Sequence, residues 1–215
     1  MTIPAIRHKP ALFALVIASL SACSAETMDG AETPDISSAS QADNCLVAVW
    51  EAQRDPDQGF DRAHDTVEGG AISCATGTSA TEYAAAIDDI RRAADREDRA
   101  GLLANTHSEV LYLDAVGEPR TLNGQAAIVQ AYTDVFDRDM MVLMRNLRLS
   151  DMAVETGSGG YFALGALWLA PDGPGGRPRI VTINRQALGE SLAMAQNPAT
   201  PPLPDKSSPS TGVTP

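Results

Sequence analysis

From Tyr83 onward apolar residues recur at helical spacing. Tyr83, Ala86 with Ile87, Ile90 and Ala93 with Ala94 share one face, while Glu82, Asp88, Asp89, Arg91 and Arg92 point away. That period predicts an amphipathic helix. Ser79-Ala80-Thr81-Glu82 has the form of a capping box, so the helix starts there and runs to about Ala94. The charged run 95–99 is a solvated turn, and Asp98 is placed to cap a short helix carrying Leu102 and Leu103. The period then changes. Val110, Tyr112 and Asp114 alternate with Leu111 and Leu113, which predicts a strand over 109–115. Gly117-Glu118-Pro119 turns the chain, and Arg120-Thr121-Leu122 returns. Asn123 is a plausible N-cap for a helix over 124–136, with Ile128, Ala131/Tyr132 and Val135/Phe136 on one face. Met140, Met141, Leu143 and Met144 predict another short helical piece, with core filling as their role. Residues 147–149 and 152–154 are short extended candidates.

The most apolar part is 159–185. Tyr161 to Ala170 is a run of ten residues with no charge, Pro171 to Gly176 can continue no regular element, and Arg179 to Arg185 is a second β-branched run. Two such runs around a Gly/Pro turn predict a long β-hairpin. Read as one strand, the first run puts Phe162, Leu164, Ala166 and Trp168 on one face and Tyr161, Ala163, Gly165, Leu167 and Leu169 on the other. Gly165 marks a bend or bulge. With both faces apolar, the outer face calls for cover, by the 44–78 segment or by a second subunit in a homodimer through the sheet. The glycines of 157–160 are not a phosphate loop, because a strand follows them where a helix is required.

Before residue 79 the pattern is weaker. Leu46, Val47, Val49 and Trp50 suit a helix or a strand, and periodicity does not choose between them. Residues 54–70 are polar, with Phe60 and Val67 as anchors, and 71–75 predicts a short extended piece. Residues 24–43 hold few bulky groups and read as a flexible tether. Residues 186–195 extend as a frayed helix, and the Pro/Ser/Thr-rich tail is expected to be disordered. The expected organisation is 1–22, 23–43 as tether, 44–78 as extension, 79–190 as the main domain and 191–215 as tail. Helices first and an antiparallel sheet afterwards is an α+β arrangement.

Charge and cysteines sharpen this picture. The chain of 215 residues has net charge −12, and removing the first 22 residues takes away Arg7 and Lys9 and makes it −14. Such a balance disfavours nucleic acid and anionic lipid headgroups as partners. Arg7, His8 and Lys9 precede an apolar segment over 11–20 that ends in Leu20-Ser21-Ala22-Cys23. The segment is too short to span a bilayer stably and has the form of a secretion signal. Its ending resembles the lipobox of bacterial lipoproteins. The resemblance implies cleavage before Cys23, lipid on its thiol, a membrane anchor and a place in the cell envelope. Ser24 after the cysteine favours the outer membrane, facing the periplasm. Cys45 and Cys74 then remain as an even pair in an oxidising compartment, and a disulfide between them is expected, with two buried free thiols as the alternative. No cofactor is expected, and the histidines and cysteines lack metal-ligand spacing.

The charged turn over 95–103, the hairpin over 111–122 and Asn123-Gly124-Gln125-Ala126-Ala127-Ile128 after it follow one another in an order that is similar to the nuclear transport factor 2-like superfamily. A glycine-spaced strand ending in Trp168, followed by Ile180-Val181-Thr182-Ile183-Asn184, resembles secreted bacterial members of that superfamily. The resemblance covers about 79–185 and implies helices packed on a curved antiparallel sheet, the cystatin-like cone. The superfamily holds isomerases, cyclases and an epoxide hydrolase beside many non-catalytic binding domains, so the fold does not choose an activity.

Isomerase-type chemistry needs a carboxylate base and a phenol or acid donor in an apolar cone. Tyr112, Asp114, Tyr132, Asp134 and Tyr161 supply those types without matching a catalytic motif. Packing accounts for the tyrosines and solvation for the aspartates. The candidate pocket comprises Tyr112, Asp114, Tyr132, Trp168, Asn184 and His107. His107 could act as a base, or could meet carbonyls at a helix end. Asn184 is expected to fix the sheet, and Trp168 to pack in the core or at the cone mouth. The leading expectation is a membrane-anchored, non-catalytic domain that binds a small molecule or an envelope protein. A small-molecule enzyme using the cone and an acidic inhibitor of a cationic envelope hydrolase are the alternatives.

Overall fold

The computed structural model describes residues 36–197. The expected signal segment 1–22, the lipidation expected at Cys23, most of the expected tether and the tail beyond 197 lie outside them. Helix α1 spans Ile36–Ala52 and α2 Gln58–His64; β1 Thr66–Val67 and β2 Gly70–Ala71 form a small hairpin; α3 is Ile72–Thr76. The main part has α4 Ala80–Asp95, α5 Arg99–Ala104, β3 Thr106–Leu113, β4 Pro119–Asn123, α6 Gly124–Gln130, α7 Tyr132–Val135 and α8 Arg138–Arg145. A 3-10 turn at Leu149–Asp151 leads into β5 Ala153–Glu155, β6 Gly159–Phe162, β7 Leu167–Pro171, β8 Pro178–Asn184 and α9 Arg185–Gln196.

Helices and one six-stranded sheet make the fold α+β. Strand order is β4-β3-β8-β7-β6-β5. The sheet is mixed where an antiparallel one was expected, because the last strand, β8, returns beside the first long one, β3, and runs parallel to it. All other neighbours in this sheet are antiparallel. Helix α4 begins where Ser79 accepts a hydrogen bond from the Glu82 amide, and it buries Tyr83, Ala86, Ile87, Ile90, Ala93 and Ala94. Tyr83 is the pin between helix and sheet. Its hydroxyl donates to the Leu169 carbonyl and accepts from the Gly160 amide, both at 3.1 Å. Burial pushes its pKa up to about 12.

The long hairpin is corrected in its first half. Tyr161 to Ala170 is two strands, β6 and β7, joined by a tight turn. Ala163, Leu164 and Gly165 all have positive φ (50°, 59° and 84°), and the Ala166 amide bonds back to the Phe162 carbonyl at 3.0 Å. Left-handed Ala and Leu cost about 1 kcal/mol each. The pairing of Phe162 with Leu167 and of Tyr161 with Trp168 offsets this. The faces change accordingly. Phe162, Ala166, Leu167 and Leu169 are buried within the single chain, Leu164 is exposed, and Tyr161 and Trp168 are half-buried on the outer face.

Five further expectations are corrected. Residues 36–43 of the supposed tether are the start of α1, which settles Leu46 to Trp50 as helical. Residues 72–76 are helical rather than extended. The helix over 124–136 breaks at Ala131, whose carbonyl accepts from the Asp134 and Val135 amides, and Asn123 makes no side-chain cap there. Residues 147–149 pair with no strand, and the 3-10 turn starts at Leu149. At the other end, α9 continues to Gln196, past the boundary expected at 190.

The N-terminal segment is tied on by covalent and polar links. Cys45 and Cys74 form a disulfide. Phe60 and Val67 are half-buried anchors, as expected, but two carboxylates sit deeper. Asp61 accepts from Trp50 Nε1 (2.7 Å), the Thr81 amide (2.8 Å) and the Thr81 hydroxyl (2.7 Å). Asp65 accepts from the Ser73 amide and hydroxyl, both at 2.8 Å. The segment seals the β5 edge of the sheet, where the Val154 amide donates to the Glu68 carbonyl at 2.8 Å. Gly69 is needed there, because a Cβ on it would lie 2.1 Å from the Val154 oxygen. The outer face of the sheet carries half-exposed apolar residues, Leu111 among them.

Candidate functional site

The β3–β4 hairpin, α7 and the start of α9 enclose a cleft of about 610 Å³ lined by Tyr112, Asp114, Glu118, Arg120, Asp134 and Arg185, with Asp137 at its side. Alternation along β3 turns Tyr112 inward, and its hydroxyl donates to the Asp134 backbone carbonyl at 3.3 Å. Burial raises its pKa, against the opposing pull of Arg120 and Arg185. Arg120 lies across from Tyr112 on β4, with its guanidinium 4.6 Å from the ring centre. It also faces the Asp134 carboxylate at 3.5 Å. Asp114 shapes the hairpin tip by accepting from the Val116 and Glu118 amides at 2.9 and 3.0 Å. Asp137 caps α8 through the Met140 amide at 3.0 Å and pairs with Arg185. Both arginines are therefore paired, and four carboxylates share the cleft with them.

Of the expected pocket residues, the fold brings Tyr112 and Asp114 together and separates the rest. His107 stands on β3, where Nε2 lies 3.6 Å from Asp172, a carboxylate also held by Arg179 at 3.1 Å. It meets a side chain rather than helix-end carbonyls. Asn184 ends β8 and caps α9 by accepting from the Ala187 amide at 3.0 Å, so it starts a helix rather than fixing the sheet. Trp168 stacks on Tyr161 with ring centres 4.6 Å apart and donates to the Gly165 carbonyl at 3.0 Å. It thus packs on the sheet's outer face, not in the core. Tyr132 turns to the far side of α7, beneath Arg99. Glu118, Arg120, Asp137 and Arg185 complete the cleft without having been singled out. They come from separate stretches, and only the break at Ala131 and the return of β8 bring them together.

Between α4 and the sheet the interior is filled. Tyr83, Val110, Leu167, Leu169, Ile180 and Ile183 have no exposed surface there. The charged cleft lies on the rim of this core. Among the described residues no group of three or more His, Cys, Asp or Glu side chains could hold a metal ion. Among the same residues no helix is long and apolar enough to cross a membrane. No family model matches the chain, and neither a curated protein nor a solved structure matches it.

Proposed function

We propose that this chain is an envelope lipoprotein, anchored through Cys23, whose folded part is a nuclear transport factor 2-like cone acting as a non-catalytic binding domain. Its ligand is a cationic group, on a small molecule or on a partner protein, received in the cleft beneath the β3–β4 hairpin. The lipobox residues 20–23 support the anchor, and the order helix, helix, hairpin, helix and strands supports the cone. The observation that carries the binding reading is the contrast between interior and rim. A catalytic cone of this type works in an apolar pocket with convergent ionisable groups. Here apolar side chains fill the interior, and the ionisable groups gather in an open cleft where carboxylates outnumber arginines four to two. That excess favours a cation, and the charge of −12 steers one inward.

Titration with a short oligolysine peptide, followed by amide shifts in NMR spectra, tests the reading. Shifts are expected at Tyr112, Val116 and Asp134, with affinity falling several-fold as salt rises from about 0.1 to about 1 M. Glu118→Gln combined with Asp134→Asn is expected to weaken binding by a similar factor. Binding indifferent to salt and to both substitutions would overturn it. The anchor is checked separately: Cys23→Ser is expected to release the protein from the membrane fraction and remove the acyl mass.

A further inference from the structure

On the opposite side of α7 from the carboxylate cleft lies a second concavity of about 520 Å³, within the range of small-molecule sites. Its charge is reversed. Arg99, Arg138 and Arg145 line it together with a single carboxylate, Glu97. In a chain with 28 acidic residues and 16 Lys and Arg, three arginines meeting in one cleft run against the overall balance. Arg145 is held in place: Nε donates to the Ala94 carbonyl at 3.0 Å and Nη2 to Glu97 at 3.2 Å. Arg99 donates to the Val129 carbonyl at 2.9 Å and lays its guanidinium 4.5 Å from the centre of the Tyr132 ring. Among the described residues neither Arg99 nor Arg138 pairs with a carboxylate. The remaining lining is apolar. Tyr132 and Phe136 pack with ring centres 5.0 Å apart, and Met141 lies beside them.

We propose that this cleft binds a small aromatic carboxylate. Gathering like charges in one concavity is unfavourable until an anion enters. Arginine suits a carboxylate because its planar fork donates to both oxygens at once, and a flat ring can lie against the Tyr132, Phe136 and Met141 surface. Glu97 already shows how the site meets a carboxylate, through Arg145. It does so from a left-handed backbone position (φ 51°) that non-glycine residues seldom adopt. The inference is independent of the carboxylate cleft, which shares no lining residue with this one.

The full chain is titrated with 2-naphthoate, with acetate and inorganic phosphate as charge-only probes and 2-naphthyl methanol as the uncharged one. Saturable naphthoate binding is expected at a Kd of about 1 mM or tighter, with shifts of the Met141 methyl and the Tyr132 ring, and weak binding of the other three. Arg99→Gln with Arg138→Gln should weaken it by at least about 10-fold, whereas Arg120→Gln in the other cleft should leave it unchanged. Arg99 and Arg138 are exposed, so the double variant is expected to fold, and a circular dichroism spectrum matching that of the native chain is the check. The proposal is overturned by acetate or phosphate binding as tightly as naphthoate, by undiminished binding to the double variant, or by the absence of saturable binding.

Discussion

Asp61 and Asp65 differ from the carboxylates of the hairpin cleft in where their partners come from. The first two are almost fully buried, and their oxygens are filled by donors on other elements: Trp50 from α1, Thr81 from α4 and Ser73 from α3. In the cleft, Asp114 turns to its own hairpin amides, and Asp134 is exposed and meets one arginine. A carboxylate whose lone pairs are spent on distant donors ties elements together. One served locally, or left in water, remains open to a ligand. The N-terminal carboxylates therefore belong to stability, as does Asp137, which caps α8 and pairs with Arg185, whereas Asp114 and Asp134 belong to recognition.

The contrast can be broken by substitution, and the largest effect is expected at Asp61. Asp61→Ala leaves one buried donor, Trp50 Nε1, and two part-buried ones on Thr81 without an acceptor, at about 1–3 kcal/mol for each buried group, so urea unfolding should show a loss of about 3–5 kcal/mol. A loss below about 1 kcal/mol would remove the distinction between the two groups. Next comes the disulfide that holds α1 on α3. Cys45 and Cys74 are 29 residues apart, and replacing both with Ser should lower stability by about 3–4 kcal/mol through the greater freedom of the unfolded chain.

Asp65 sharpens the comparison through pH. Burial raises its pKa above the ordinary 3.8, with a further push from the Asp61 charge, while its hydrogen bonds from Ser73 oppose the rise. The folded state then holds this proton more tightly than the unfolded one. Its contribution to stability is complete below the unfolded pKa and is lost as pH rises through the folded one. Asp65→Asn removes that titration, so the stability of the native chain relative to the variant should fall as pH rises from about 3.8. A difference that stays constant or grows with pH would show that Asp65 does not titrate in this way. The smallest effect is expected at the cleft. Asp134→Ala loses only an exposed ion pair, and stability should change by less than about 0.5 kcal/mol.

Much of the helical layer was legible. The Tyr83 to Ala94 period, the Ser79 and Asp98 caps and the β3–β4 hairpin all stand as read, because each is set by contacts within a few residues. The turn at Ala163–Ala166 was hidden. An uninterrupted apolar run looks like one strand, and nothing local marks two left-handed residues that only strand pairing holds in place. Asp61 and Asp65 were passed over for a related reason. A carboxylate in a polar stretch looks solvated until the donors that bury it, at positions 50, 73 and 81, are brought near. Of the cleft, Tyr112 and Asp114 could be picked out because a strand leads into a turn there, whereas Arg120 on β4 and Arg185 at the start of α9 are far apart in the chain.

By itself, the sequence determined the helix faces, the Ser79 and Asp98 caps, the first hairpin and the pairing of the two cysteines left beside Cys23. These follow from spacing of residues close along the chain, or from counting. Only the tertiary structure decided that β8 lies parallel to β3, that α7 separates a carboxylate cleft from an arginine cleft, and that Trp168 faces outward. Such placements depend on long-range pairing and on which side chains the core has room to bury.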